Sequence, residues 1–365
     1  MENLFDIPEE LINLIASKLS DIDDIVRFGA ICKSTQSCVK QDKRSFVPWL
    51  MLAESDNEEF QRKFYDLGSK KVFNIYFPEL QGRKCLGSPF GWLLTIGIDL
   101  NINLVNPISR VQIALPPQQA FQDQIDKFAN PELIRRMFIT KVCYSTNPCS
   151  SDLIVMVIYS SYQKLAITTP NSTSWTTLKT PFGAFFDLVF FNGLFYAVNA
   201  SGILMICDIT TFEATEFALP PDGVCHGSDS YYLVEMFGDL HLIARTFDAD
   251  DVDDNEEYAF RYKTVRFAVY KLDLHTREWM AVNNLGDYSL FLGTNSSFAI
   301  STSESPGLKG NCIYYTDDRT ECYMNSGGRD MGVQDFEKET FDTIYLGSNS
   351  RSLFCPPLFI KPCLS

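Results

Sequence analysis

The sequence predicts a mostly β chain, with a small three-helix segment at the amino end followed by a β-propeller of five or six blades. Three observations carry this expectation. Apolar residues at helical spacing dominate the first 40 residues. Beyond residue 85 the chain turns to short β-type runs punctuated by Gly, Pro, Asn and Asp. One hairpin pattern also recurs five times, as propeller blades would require.

Helix one is read from Leu11, Ile12, Ile15 and Leu19, with Pro8 just inside its start and Glu9 and Glu10 in its first turn, where negative charge suits the helix dipole. A second periodic stretch begins near Asp21 and carries Ile22, Ile25, Val26 and Phe28. A third short helix covers Ser34–Val39. Residues 1–45 thus form a helical domain, the mixed stretch 46–84 reads as a linker, and residues 85–365 form the repeat domain.

The recurring pattern is an apolar strand end, a polar turn-former and a second strand. Its copies are LVNPISRVQI, AITTPNSTSWTTL, ICDITTFEATEF, KLDLHTREWMAV and GVQDFEKETFDTI, anchored at Asn106, Thr169, Asp208, Asp273 and Asp335. An Asx or Thr side chain at the anchor caps the turn by accepting from backbone N–H groups downstream, and Trp175, Phe217, Trp279 or Phe341 packs back between sheets. The loose period is explained by insertions: the helix-like Phe121–Met137, the acidic Asp248–Glu257 and the Ser/Gly-rich Ser301–Gly310. Strand alternation is equally compatible with a two-sheet sandwich.

Net charge is −15, and no basic patch stands apart from the acidic remainder, so nucleic acid is not expected as a partner. The longest clean apolar run, Leu153–Tyr159, falls far short of the ~20 residues of a membrane helix, and Met1–Pro8 has no signal-peptide character. Eleven cysteines without a regular framework read as free thiols in a reducing compartment, the cytosol or nucleus.

No catalytic, cofactor or metal site is expected. The three histidines, His226, His241 and His275, form no ligand spacing; His275 belongs to a hairpin turn and His241 to a strand. Cys143 with Cys149, and Cys355 with Cys363, are read as structural or free. The acidic run lacks the glycine and closing glutamate of a calcium loop, and Gly327-Gly328-Arg329 carries no phosphate-loop motif. Tyr314, Tyr315, Asp317 and Asp318 read as a strand end and its Asx turn, with a recognition surface as the functional alternative.

The segment FDIPEELINLIASKLSDIDDIVRFGAICKSTQSCV resembles an F-box, through Ile7, Pro8, Glu10 and Leu11, the spacing to Ile15 and Leu19, and the closing Ile31-Cys32-Lys33-Ser34. Thr35 stands where that family usually has tryptophan. The remainder is similar to plant F-box proteins whose C-terminal, propeller-like domain has no assigned function. The similarity rests on PWLML (Pro48–Leu52), GSPFGWLL (Gly87–Leu94), NPISRVQIALPP (Asn106–Pro117), IYYTDD (Ile313–Asp318), GVQDFE (Gly332–Glu337) and PPLFIKP (Pro356–Pro362).

The resemblance implies a non-catalytic substrate receptor of a cullin-based ubiquitin ligase. The F-box would dock on a Skp-family adaptor, and through it a cullin scaffold, while the propeller holds an unidentified target protein. Pro8, Leu11, Ile15, Ile31 and Cys32 are the expected adaptor contacts, on the reasoning that ~40 residues of helix cannot bury their own apolar face. Leu11, Ile12, Leu19, Ile25 and Phe28 have the bland alternative of packing the helices together. Two other readings stay open: a scaffold with a degenerate F-box, suggested by Thr35, and a propeller enzyme. The enzyme would require carboxylates from several blades to converge at one channel mouth with shifted pKa values, which is not expected.

Overall fold

The computed structural model describes residues 7–19, 22–29, 31–41, 46–54, 60–87, 90–122, 130–224, 229–249, 262–305, 307–320, 328–347 and 350–363. Three helices, α1 (Glu9–Lys18), α2 (Ile22–Gly29) and α3 (Lys33–Gln41), precede six sheets arranged as a six-bladed propeller. Pro8 sits one position earlier than expected, at the cap of α1, where its carbonyl accepts from Leu11 N (3.0 Å) and Ile12 N (3.2 Å).

The first blade is built from β1 (Trp49–Met51), β2 (Gln61–Asp66) and β3 (Val72–Tyr76). The expected linker at 46–84 is therefore corrected, since it carries three of this blade's four strands. Blade two holds β4 (Lys84–Gly87), β5 (Leu93–Ile96), β6 (Ile102–Val105) and β7 (Gln112–Leu115). Blade three holds β8 (Ile139–Tyr144), β9 (Val155–Tyr159), β10 (Lys164–Thr168) and β11 (Thr176–Thr177), preceded by α4 (Pro131–Met137). Blade four holds β12 (Phe185–Phe191), β13 (Leu194–Asn199), β14 (Leu204–Asp208) and β15 (Glu213–Ala218).

Blade five holds β16 (Asp229–Met236), β17 (Asp239–Ala249), β18 (Tyr262–Leu272) and β19 (Trp279–Val282). Blade six is irregular. Its strands β20 (Tyr288–Leu292), β21 (Phe298–Ser301), β22 (Cys312–Tyr315), β23 (Gly332–Asp335) and β24 (Thr340–Asp342) lie in the order β21-β20-β22-β23-β24, with β20 and β22 parallel. The chain then returns to blade one, where β25 (Leu358–Ile360) pairs antiparallel with β1, Trp49 opposite Ile360. This closes the ring and removes two open strand edges.

Each blade buries its faces only against its neighbours. Six apolar clusters result, one between each adjacent pair of blades. That arrangement excludes the two-sheet sandwich, which would have a single core between two faces.

The anchor residues sit in the outer hairpins of five blades, as the repeat pattern implies. Asn106 Oδ1 accepts from Ile108 N and Ser109 N, both at 2.9 Å, and Asp273 Oδ1 accepts from His275 N (2.8 Å) and Thr276 N (3.1 Å). Asp208 does the same for Thr210 N (2.7 Å), and Asp335 for Lys338 N (3.2 Å). Thr169 differs: its carbonyl, rather than its hydroxyl, accepts from Ser172 N at 3.0 Å. The β2–β3 turn adds a sixth copy beyond the five of the sequence pattern: Asp66 Oδ1 accepts from Gly68 N (2.7 Å) and Ser69 N (3.0 Å). Trp175 is fully buried, stacked on Phe121 with centroids 4.6 Å apart, while its Nε1 donates to Pro116 O. Phe341, though 36 % exposed, reaches Phe267 of blade five, with centroids 6.5 Å apart, and Tyr315 at 6.2 Å.

Candidate functional site

Helix α1 has two unlike faces. Ile12 and Ala16 are buried, whereas Leu11 (49 % exposed), Leu14 (54 %) and Ile15 (43 %) form an uncovered apolar stripe at i, i+3 and i+4. Ile31 is 51 % exposed in the turn before α3, Pro8 is exposed and Cys32 is half-buried. Leu14 was not among the expected contacts, although its spacing from Leu11 was a signal that could have found it.

The helices turn a different set of side chains toward the propeller. Ile25 is fully buried in the cluster formed by Trp49, Phe64 and Phe77, and Leu19 and Phe28 pack against that cluster. The five residues for which helix packing was the alternative therefore divide: Ile12 and Ile25 are interior, Leu19 and Phe28 are half-buried, and Leu11 faces outward.

Thr35 is 5 % exposed. Its hydroxyl accepts from Cys32 N (3.0 Å) and donates to Cys32 O (2.8 Å), which is one half of a capping box at the start of α3. Hydrogen bonding from the same hydroxyl draws the Cys32 thiol below its ordinary pKa.

A second polar assembly lies at the channel mouth where β4, β8, β12 and β16 begin. Lys141, on β8, lies 3.8 Å from Asp187 on β12 and 3.9 Å from Asp318, which follows β22. Its Nζ also donates to Gly293 O and to Asn295 O. Arg245, on β17, is fully buried: Nε donates to Thr264 Oγ1 (2.7 Å), Nη1 to Thr316 O (2.9 Å), and Nη2 to Asp330 Oδ2 (2.9 Å).

Local backbone irregularity aims these groups. Strands β8 and β12 each carry an extra residue just before Lys141 and Asp187, at Ile139/Lys141 and Phe185/Asp187, whereas near Arg245 the extra residue, Val265, lies on the neighbouring strand β18. An extra residue at such a bulge bends the strand and redirects the next side chain.

Carboxylates from two blades thus meet at this mouth, contrary to the expectation of no convergence. Burial pushes the Asp187 and Asp317 carboxyls up from the ordinary range. Their lone pairs are nevertheless engaged. Asp187 accepts from Leu188 N (2.9 Å), Leu233 N (3.0 Å) and Ser297 Oγ (2.7 Å). Asp317 accepts from Tyr262 Oη (2.6 Å), Arg329 N (2.7 Å), Asp330 N (3.0 Å) and Arg319 N (3.2 Å). A carboxylate saturated in this way ties blades together and has no free position from which to take a substrate proton. The last of these bonds is also the Asx turn read from the sequence, and Tyr315 ends β22 as read.

His241 is buried on β17 with Nδ1 3.1 Å from Asp239 O, and desolvation lowers its pKa. His275 is exposed in its turn, and His226 lies outside the described residues. Among the described residues no group of three or more His, Cys, Asp or Glu is placed to hold a metal. No described helix is long and apolar enough to cross a membrane.

Three helices with an outward apolar stripe, seated on a closed six-bladed ring, define an F-box protein with a propeller. Residues 4–46 match the F-box domain and residues 64–335 match the KIB1-4 beta-propeller. The chain belongs to the KIB1-4 beta-propeller family of F-box proteins. Its relatives in Arabidopsis thaliana include "Putative F-box protein At5g55150", 26 % identical over 97 % of this chain and 95 % of that protein. Another is "F-box protein SKIP23", 23 % identical over 96 % and 93 %. Among solved structures, TolB from Acinetobacter baumannii covers 80 % of this chain and 62 % of its own at 8 % identity and a TM-score of 0.39.

Proposed function

We propose that this chain is the substrate-recognition subunit of an SCF-type ubiquitin ligase, binding a Skp-family adaptor through its F-box and a target protein through its propeller. The observation that carries the reading is the stripe Leu11, Leu14 and Ile15, with Ile31 and Pro8, left uncovered by the ring on which the helices sit. A partner that covers it completes the helical core. The chain contributes proximity, raising the effective concentration of the target near activated ubiquitin on the same scaffold. The target is unassigned. The described cysteines are unbridged, which suits a reducing compartment such as the cytosol or nucleus.

Thr35 favours this reading over a scaffold with a degenerate F-box, because its hydroxyl supplies the cap of α3 without an aromatic ring. The test is capture of a purified Skp-type adaptor by the full chain. Leu11 and Ile15 are about half exposed, so covering them contributes about half of the ~1.5–3 kcal/mol that a full burial would. Leu11→Asp with Ile15→Asp is expected to weaken capture by ten- to a hundredfold or more, with the thermal unfolding of the propeller retained. Failure of the wild-type chain to capture any adaptor overturns the proposal.

A further inference from the structure

The channel mouth encloses a cavity of about 130 Å³ lined from five of the six blades. That is roughly ten times the ~10–15 Å³ that holds a single water. Three of its lining residues are cations, Lys84, Lys141 and Arg319, against one carboxylate, Asp318, in a chain whose net charge is −15. Asp187, 3.8 Å from Lys141, adds a second carboxylate beside that lysine.

Lys84 is the key member. It is 2 % exposed on β4, and its Nζ donates to Arg136 O (2.6 Å) and Ile139 O (2.7 Å), leaving one of three N–H donors. Lys141 has Asp187 and Asp318 nearby, whereas among the described residues no carboxylate forms an ion pair with Lys84. A buried ammonium without a carboxylate partner is costly to fold and gains from an incoming anion. A second observation points the same way: Thr294, which also lines the cavity and is 4 % exposed, has a buried hydroxyl with no hydrogen-bond partner among the described residues. The lining also carries the apolar bodies of Leu86, Phe185 and Tyr231.

We propose that this mouth is a binding site for a small organic anion, its charged group held by the Lys84 ammonium and the Thr294 hydroxyl and its body lying against Leu86, Phe185 and Tyr231. The site is independent of the F-box face, so neither proposal depends on the other. It would be pH-dependent. Desolvation draws the Lys84 ammonium down to about 7, opposed by Cys355 and reinforced by Arg136 on α4. The other charged or titratable groups on the walls are Lys141 from β8, Asp318 and Arg319 after β22, and Tyr231 and Tyr232 from β16. An anion that needs the ammonium loses the protonated fraction as pH rises, about tenfold between pH 6 and pH 8.

The experiment is calorimetric titration of the full chain with benzenesulfonate, whose charge is constant over that range, and with benzenesulfonamide as its neutral counterpart. Saturable binding of the sulfonate only, about tenfold tighter at pH 6 than at pH 8, is the expected result. Lys84→Met should lose it by tenfold or more, and Thr294→Val should weaken it. Lys84→Arg, whose charge does not titrate, should bind with little pH dependence, which keeps the test decisive if Lys84→Met unfolds. No saturation by wild type at millimolar sulfonate, or equal binding of the sulfonamide, overturns the proposal.

Discussion

Arg245→Met tests whether the ionic assembly at the channel mouth holds the blades together. Arg245 is fully buried, with its guanidinium carbon 4.6 Å from the centroid of Tyr315 and 4.9 Å from that of Phe247. Methionine fills similar space among these rings, so little of the effect comes from a cavity. What is lost is charge. Asp318 retains Lys141 at 3.9 Å, but among the described residues the Asp330 carboxylate retains only the Thr264 hydroxyl, at 2.5 Å, as a side-chain partner. Stranding one buried carboxylate costs about 3–5 kcal/mol. Equilibrium urea unfolding, followed by fluorescence of the buried Trp49, Trp92 and Trp175, reads this directly. Adding Asp330→Asn removes the stranded charge, so the double variant should recover about 1–3 kcal/mol relative to Arg245→Met alone. A loss below about 1 kcal/mol, or no recovery in the double variant, would refute the reasoning.

Three further outcomes are expected. Deleting residues 356–365 removes Leu358, Phe359 and Ile360, each at most 1 % exposed, for a loss of about 4.5–9 kcal/mol. This rivals the whole stability of an ordinary domain, and limited proteolysis should then cut within blades one and six. Thr35→Val should cost about 0.5–2 kcal/mol and speed amide exchange in α3, because Cys32 N loses its acceptor. For Lys84, the folded pKa of about 7 lies below the ordinary lysine value of 10.5, so the folded state binds fewer protons between those values and stability rises with pH there. Urea unfolding should show about 2 kcal/mol more stability at pH 9 than at pH 7 from this group, and Lys84→Met should lack that increment.

The repeat was legible because its signal is local. Asn106, Asp208, Asp273 and Asp335 each cap a turn within three residues of themselves, so the pattern survives in the linear sequence. The first blade escaped because Arg62 takes an interior position on β2 and breaks the apolar alternation that marks a strand, and because its fourth strand comes from the far end of the chain. The exposed stripe of α1 was legible for the same local reason, apart from Leu14.

The polar assembly was not legible. Lys84, Lys141, Asp187 and Arg245 are separated by dozens of residues, and each reads singly as a charge on a solvated face. Only closure of the ring, with the bulges on β8 and β12, brings them together. Convergence of that kind is a property of topology, which periodicity does not encode.

The pairing of β1 with β25 also has a temporal side. Trp49–Met51 emerges from the ribosome about three hundred residues before Leu358–Ile360. At a translation speed of ~5–20 residues per second, that interval lasts ~15–60 s. For that long one edge of a nascent ribbon of Trp, Leu and Met lacks its permanent neighbour, so the newborn chain is at its most vulnerable to sticking before its final turn of synthesis, and chaperone demand should fall there.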